Sequence, residues 1–329
     1  MEIDENRGGE EPQKKVESFA EKAAECVDEN GIKYIEYEET PVDIEEDAEE
    51  LDLNHQQIDK IENFERMHSL KSLCLRWNRI KIIENLQMLV TLNELDLYDN
   101  QITKIENLSC LTNLKVLDLS FNRIRDIEGL EDLNNLEKLY LTSNRISKIT
   151  NINHLYNLQM LELGDNKIKT IENIDKLTGL KELYFGKNKI DKIQNLNSLK
   201  NLKIISLQNN NLTKIEEIDQ LEALDELYLS ENGITVIENL ENNKSLGTLD
   251  LSMNKIVTIE NLSHLENLKE FWLNDNQINN WSCIEVLGQL KKLETVYLEH
   301  NPISKDSAYR RKIKLIIPWL IQIDATLAK

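Results

Sequence analysis

From residue 70 the apolar positions of the chain fall into one string that returns with little drift: LKSLCLRWNRI from Leu70, LNELDLYDNQI from Leu92, LKVLDLSFNRI from Leu114 and LEKLYLTSNRI from Leu136. The middle leucines alternate with other residues, the period-two pattern of a strand with one buried face. The alternation is brief, so each strand is short. More apolar residues follow at wider spacing, such as Ile105, Leu108 and Leu111 after Asn100, and close the back of a coil. An Asn recurs at 78, 100, 122, 144, 166, 188, 210, 232, 254 and 276, a constant step of 22.

The string L-x-x-L-x-L-x-x-N-x-I is the leucine-rich-repeat signature. It predicts an α/β solenoid, a horseshoe with a parallel concave sheet, 22-residue repeats, convex 3₁₀ or short helical turns and a C-terminal cap. One further unit precedes the ten at Leu51 to Leu53, with Gln56 in the Asn place. Another follows at Val296 to Leu298 with Asn301, after a step of 25, so about twelve units are expected. The Asn turns the chain where regular sheet ends, and its amide is expected to bond backbone groups that burial would otherwise leave unpaired. The recurring Ile-Glu-Asn of Ile105 to Asn107 needs only to support a convex turn. Two departures stand out. Asn243 replaces the apolar residue found at Leu221 and Leu265, which predicts a poorly packed or shifted turn, and three extra residues near Trp281 to Leu287 should bulge outward.

The expected domains are a largely disordered acidic tail (1–47), the solenoid (48–303) and a cap (304–329). In the cap, an apolar helical period through Tyr309, Ile313 and Ile317 leads to Trp319, which should pack on the last repeat. Within the tail, Val16, Phe19, Ala20, Ala23 and Val27 would share a helical face. The segment from Glu36 to Glu50 holds nine acids and no base, which favours disorder or weak helix.

Charge sharpens this division. The chain has 59 Asp and Glu against 39 Lys and Arg, a net −20, and residues 1–50 carry 19 of the acids and only five bases. Such an excess argues against nucleic acid or an anionic membrane as partner. The opening MEIDENRGGEEPQKK lacks an apolar core and no stretch approaches ~18 apolar residues, so a soluble intracellular protein is expected. The four cysteines (Cys26, Cys74, Cys110, Cys283) are widely spaced and read as reduced thiols. Sequons at Asn107, Asn211, Asn261 and Asn280 read as chance products of Asn-rich repeats.

Nothing in the sequence assembles an active site. The five histidines form no metal motif, no glycine-rich phosphate loop follows a strand and no nucleophile elbow occurs, so no enzyme, cofactor or metal is expected. Asp96 and Asp118, on adjacent strands ~4.8 Å apart, lack third and fourth ligands for a cation. His154 and His264 share one repeat position, read as a tolerated convex site.

The inner face is more informative. Between the strand leucines stand Cys74, Asp96, Asp118, Tyr140, Glu162, Tyr184, Ser206, Tyr228, Asp250, Trp272 and Tyr297: four acids, five aromatics and no base. The column before it, from Ser72 to Thr295, adds Glu94, Glu182, Glu226 and Glu270 with one base, Lys138. Aromatics in water are favoured interface anchors, and interspersed carboxylates would pair with Lys and Arg of a partner. Cross-strand stacking is the structural alternative, but Tyr140, Glu162 and Tyr184 alternate rather than stack.

The repeat with IENL, the unit KELYFGKNKI from Lys181, LKEFWLNDNQI from Leu268 and the end ETVYLEHNP to YRRKIKLIIPWLIQIDAT together resemble the leucine-rich-repeat regulatory subunits of type-1 protein phosphatase, over residues about 45–329. The resemblance implies a non-catalytic nuclear and cytoplasmic partner that holds the phosphatase catalytic subunit on its concave face and influences its activity, maturation or location. It implies contacts at Asp118, Tyr140, Glu162, Tyr184, Asp250, Glu270, Trp272 and Tyr297, and leaves open a third protein in the complex. The short basic-Val/Ile-x-Phe/Trp docking motif of many phosphatase regulators is absent. A spliceosomal or chromatin scaffold built on the same repeats is the alternative; an acidic inner face disfavours it. An acidic phosphatase inhibitor with a short solenoid would carry its acid run after the repeats, not before them.

Overall fold

The computed structural model describes residues 23–27, 33–37 and 47–328. The chain divides into two units, Met1–Glu45 and Glu46–Lys329. In the first, the strands Ala23–Val27 and Lys33–Tyr37 pair antiparallel, with Ala23 opposite Tyr37 and Val27 opposite Lys33. The helical face expected here therefore does not hold for Ala23 and Val27. The Tyr- and Ile-rich segment KYIEY favours strand and supplies the pairing partner. Val16, Phe19, Ala20 and most of the expected tail lie outside the described residues.

In the second unit, among the described residues, twelve three-residue strands run from Glu50–Asp52 to Thr295–Tyr297 and pair in parallel in chain order. Register follows the repeat, with Glu94 opposite Val116 and Glu226 opposite Thr248. The solenoid is packed one unit at a time. From Leu92, the side chains of Leu92, Leu95, Leu97, Ile102, Ile105, Leu108 and Leu111 are all at most 1% exposed. Each such burial contributes about 1.5–3 kcal/mol, and no unit can complete it without neighbours on both sides.

The Asn column carries the polar side of this packing. Asn166 donates Nδ2 to the carbonyls of Leu141, Leu163 and Gly164 at 2.9, 3.1 and 3.0 Å, and its Oδ1 accepts the Ile146 N–H at 2.9 Å. One side chain thus bonds its own unit and the one before, and the pattern repeats from Asn78 to Asn301. The Asn of Ile-Glu-Asn forms a second ladder that periodicity alone did not reveal. Asn107 adopts a left-handed φ of 60° and donates to the Ile83 carbonyl at 2.7 Å, as Asn173 does to Ile149 and Asn239 to Ile215. Asn tolerates that backbone region better than most residues.

The convex side consists of successive i to i+3 turns, such as Leu111 N–H to Leu108 O and Leu114 N–H to Leu111 O. The extra residues do not form a loose bulge. They extend one turn into a nine-residue 3₁₀ helix, Trp281–Gln289, which buries Ile284 and Leu287 while the strands beneath stay aligned, Glu270 opposite Thr295. Asn243 also departs from expectation, because its turn keeps the common bonds, Asn243 N–H to Leu240 O and Leu246 N–H to Asn243 O. The fully buried Asn243 donates Nδ2 to Ile218 O and Leu221 O, which leaves only Oδ1 without a partner. His154 and His264 likewise do more than fill space: each ring Nε2 lies 3.0 and 2.9 Å from a carbonyl of the preceding unit, Leu130 and Leu240.

The C-terminal end is closed by a 3₁₀ turn (Pro302–Lys305), an α-helix (Tyr309–Ile316) and a hairpin (Gln322–Ile323 with Thr326–Leu327) added to the sheet edge. Asp324 Oδ1 accepts the N–H groups of Leu298 and Glu299 at 2.9 and 3.0 Å and the Tyr309 hydroxyl at 3.1 Å. Trp319 packs against the core and donates Nε1 to Leu290 O at 3.3 Å.

The two kinds of buried Asn are expected to differ in a urea denaturation series. Asn166→Ala leaves the buried Ile146 N–H without an acceptor, although Leu141, Leu163 and Gly164 each keep another donor, and should cost about 1–3 kcal/mol. Asn243→Leu gives up bonds to carbonyls that already accept a turn N–H, fills the place with an apolar side chain, and should stay within about 1 kcal/mol of wild type. Equal losses would contradict this division of roles.

Candidate functional site

The strand register sets the inner column side by side: Asp118 next to Tyr140, Tyr140 next to Glu162, Glu162 next to Tyr184. Past Ser206 and Tyr228 the row continues with Asp250, Trp272 and Tyr297, and Glu270 precedes Trp272 by two residues on the same strand and face. All eight residues singled out from the sequence therefore share one face of one sheet. Ser206 and Tyr228 separate them into two groups.

Within the row, the aspartates and glutamates do different things. Asp118 Oδ1 accepts the Ser120 N–H at 2.8 Å and Asp96 Oδ1 the Tyr98 N–H at 3.0 Å, each fixing the bend that ends its strand. Asp250 is more committed still. It is 5% exposed and accepts both the N–H and the hydroxyl of Ser252, at 2.9 and 2.6 Å, so the expectation of a solvent-facing residue fails there and at buried Ser206. The side chains of Glu162 and Glu270 have no hydrogen-bond or ion-pair partner among the described residues. Burial raises the Asp96 and Asp118 carboxyls above the ordinary carboxylate range, partly offset by the backbone N–H groups they accept.

Tyrosines in the row are braced by their own strands. Tyr184 donates its hydroxyl to Glu182 Oε2 at 3.1 Å, and Tyr228 to Glu226 Oε2 at 2.7 Å. Burial first, and then the neighbouring glutamates, raise both phenols above their ordinary range. Trp272 meets Tyr297 edge-on at 5.7 Å, and Tyr297 accepts from Gln322 Nε2 at 2.7 Å, which carries the row into the cap. Beside Tyr184 and Glu162 lies a hollow of about 400 Å³. Gly164 and Gly186 form its floor, at the repeat position where the flanking units carry Thr142 and Gln208. Phe121, Asp165 and Glu231 stand around it.

A second aromatic group, not expected from the sequence, lies outside the two columns that run between and before the strand leucines. His55 stacks on Trp77 at 4.3 Å, Trp77 meets Tyr98 at 5.8 Å, and Tyr98 meets Phe121 at 4.8 Å. The Arg76 guanidinium sits 4.3 Å from the Tyr98 ring centre, 5.0 Å from that of Trp77 and 3.5 Å from Asp96. Trp77 and Phe121 remain 41% and 45% exposed, enough to offer ring surface to a partner. The signal in the sequence was their shared repeat position, immediately before the ladder Asn.

Among the described residues, no group of three or more His, Cys, Asp or Glu is placed to hold a metal ion. Cys74, Cys110 and Cys283 are free thiols, and Cys74 is pushed up to about 11, by burial and then by a hydrogen bond and the charge of Asp52, which disfavours the nucleophilic thiolate. No helix is long and apolar enough to cross a membrane among the described residues.

The raised aspartates yield a pH prediction. A carboxyl whose folded pKa exceeds its unfolded value favours the protonated fold, so its ionisation removes stability as pH rises through that window. Asp118→Asn keeps an acceptor for Ser120 and removes the charge. It should raise the thermal midpoint at neutral pH, and the gain should vanish at a pH where both forms of wild type are protonated. A variant less stable than wild type at neutral pH would contradict the assignment.

Comparison with known proteins agrees with the geometry. The model for "Leucine Rich repeats (2 copies)" matches overlapping stretches of residues 90–132, 112–156, 134–176, 156–198 and 178–222, and that for "Leucine-rich repeat" matches 217–325. The chain is 52% identical over 52 residues to protein phosphatase 1 regulatory subunit 7 of Xenopus tropicalis, covering 16% of this chain and 15% of the relative. Against the same-named protein of Homo sapiens the figures are 53% over 52 residues, 16% and 14%. Against protein phosphatase 1 regulatory subunit SDS22 of Schizosaccharomyces pombe they are 56% over 43 residues, 12% and 13%. The matched segments thus span about one seventh of these curated relatives. Among solved structures, an internalin of Listeria monocytogenes superposes with a TM-score of 0.70 at 27% identity, covering 85% of this chain and 88% of its own. A leucine-rich-repeat protein of Leptospira interrogans gives 0.65 at 28%, covering 79% and 73%. Sequence period, parallel sheet, Asn ladder and these matches agree that the chain is a leucine-rich-repeat protein.

Proposed function

We propose that this chain is a non-catalytic regulatory subunit that binds the catalytic subunit of type-1 serine/threonine protein phosphatase through its inner sheet face, in nucleus and cytoplasm, and modulates its activity, maturation or location. The observation that carries the reading is one line of side chains. Glu162 and Glu270 lack internal partners and stand beside Tyr140, Tyr184, Trp272 and Tyr297 on a single face. Relatives named as regulatory subunits of that phosphatase supply the partner.

The physics of such docking follows from the geometry. Strand pairing fixes the backbone of the row and the Tyr–Glu bonds hold the Tyr184 and Tyr228 rings, so little side-chain entropy is lost at those two on binding. Ring faces would fill apolar hollows of the phosphatase, and unpaired glutamates would meet its Lys and Arg, steering encounter and setting register. Asp118 and Asp250 would contribute mainly by shaping the strand ends.

A pull-down comparing wild type with a Glu270→Ala, Trp272→Ala double variant tests this. The variant should lose at least tenfold in affinity for the phosphatase catalytic subunit, about 1.4 kcal/mol or more, with its thermal midpoint within a few degrees of wild type. Wild-type affinity should also fall as salt rises. Recovery of splicing or chromatin factors instead of the phosphatase would favour the scaffold reading, and parallel loss of stability and binding would make the row structural.

A further inference from the structure

The cap differs from the rest of the chain in charge and in what it leaves exposed. Residues 302–329 carry six Lys and Arg against two Asp, in a chain of net −20. On the helix Tyr309–Ile316, Leu315 is 70% exposed, and on the hairpin Ile321 is 54% exposed. Between helix and hairpin lies a hollow of about 320 Å³, lined by Arg310, Arg311, Lys314, Leu315, Ile323 and Ala328.

Its walls are rigidly held. Arg310 ties helix to hairpin, Nη1 donating to Ile323 O at 2.7 Å and Nη2 to Leu327 O at 3.0 Å, and Lys314 Nζ donates to Leu320 O at 2.7 Å. Arg311 is exposed and has no hydrogen-bond or ion-pair partner among the described residues. The hollow is also separate from the inner sheet face. Residues alternate across a strand, and Gln322, opposite Leu327, reaches Tyr297. Ile321 and Ile323 therefore point to the other side, with Ala328 bonded to Ile321.

We propose that this face of the cap is a docking surface for an acidic protein segment that carries an apolar side chain. The apolar group would enter the hollow against Leu315, Ile323 and Ala328, with exposed Ile321 nearby on the chain, and its flanking carboxylates would meet Arg311, Arg310 and Lys314, the charges that a mostly acidic molecule concentrates here. A bidentate carboxylate on the unpaired Arg311 fork is the strongest single contact available. A concave site fits a single apolar side chain better than it fits a flat bilayer. The proposal is independent of the phosphatase reading, since it uses none of the same side chains.

Fluorescence anisotropy on the full chain, with a labelled peptide alternating glutamate and leucine, tests it. Wild type and Trp272→Ala should bind the peptide equally. An Arg311→Glu, Leu315→Ser variant should bind at least tenfold more weakly at an unchanged thermal midpoint, Arg311→Lys should retain part of the affinity, and a lysine–leucine peptide should not bind. Equal binding by wild type and the Arg311→Glu, Leu315→Ser variant, or loss of binding in Trp272→Ala, would overturn the proposal. So would cap-dependent binding of phosphatidylserine vesicles without peptide binding, or cap-dependent self-association without it, which would assign the surface to a membrane or to a second copy.

Discussion

The solenoid depends on a single constraint: a short strand must turn into a buried bend without abandoning its backbone polar groups. A three-residue strand has too few ladder bonds to do this alone. The Asn amide answers with donors and an acceptor on one planar group, so Asn166 serves carbonyls in two units and an N–H in the earlier one. Units are thereby joined through polar bonds as well as through stacked leucines, and removing any one member exposes groups in its neighbour. The residues between the strand leucines are released from this duty, which is why they are the positions free to carry function.

The end of the array shows the same constraint with the opposite sign. The hairpin strand that follows the last repeat is only two residues long, Gln322–Ile323, and the N–H groups of Leu298 and Glu299 lie past its end. What is needed is an acceptor without donors. Asp324 supplies it, and the Tyr309 hydroxyl adds a donor to the same oxygen. An amide at this place would bring its own N–H groups toward those it must satisfy. The burial of Tyr309 beside that carboxylate raises its phenol above the ordinary range, keeping it a donor.

Much of this architecture was legible because a 22-residue period repeats its evidence many times. Strand positions, the Asn column, the unit count and the packing of Trp319 all follow from spacing. What escaped were features a period averages away. Asn243 looked like a defect because only its polarity was weighed; its Nδ2 finds two carbonyls in the preceding unit. Three inserted residues looked like a bulge, although lengthening a 3₁₀ turn lets them bury Ile284 and Leu287. The aromatic group at His55, Trp77, Tyr98 and Phe121 draws on two repeat positions at once, so no single column displays it. Strand pairing at Ala23–Val27 depends on a segment ten residues later and is invisible to a helical-face count.

The inner row also shows why residue type alone misleads about function. Aspartate at the end of a short strand bonds its own backbone two residues on, which suffices to favour it there whether or not a partner exists. Asp96, Asp118 and Asp250 all do so, and burial works against the charge of the first two. Glutamate is one methylene longer and does not close that local ring. Glu182 and Glu226 are engaged by tyrosines of their own strands, and so they too have an internal role. Glu162 and Glu270 have none: their side chains stand beside half-buried aromatic rings on the sheet and receive no bond from the fold. A carboxylate that the fold does not use is the better marker of a surface shaped for something outside it. The discriminating power of the acidic row rests on these two glutamates and on the aromatic rings beside them.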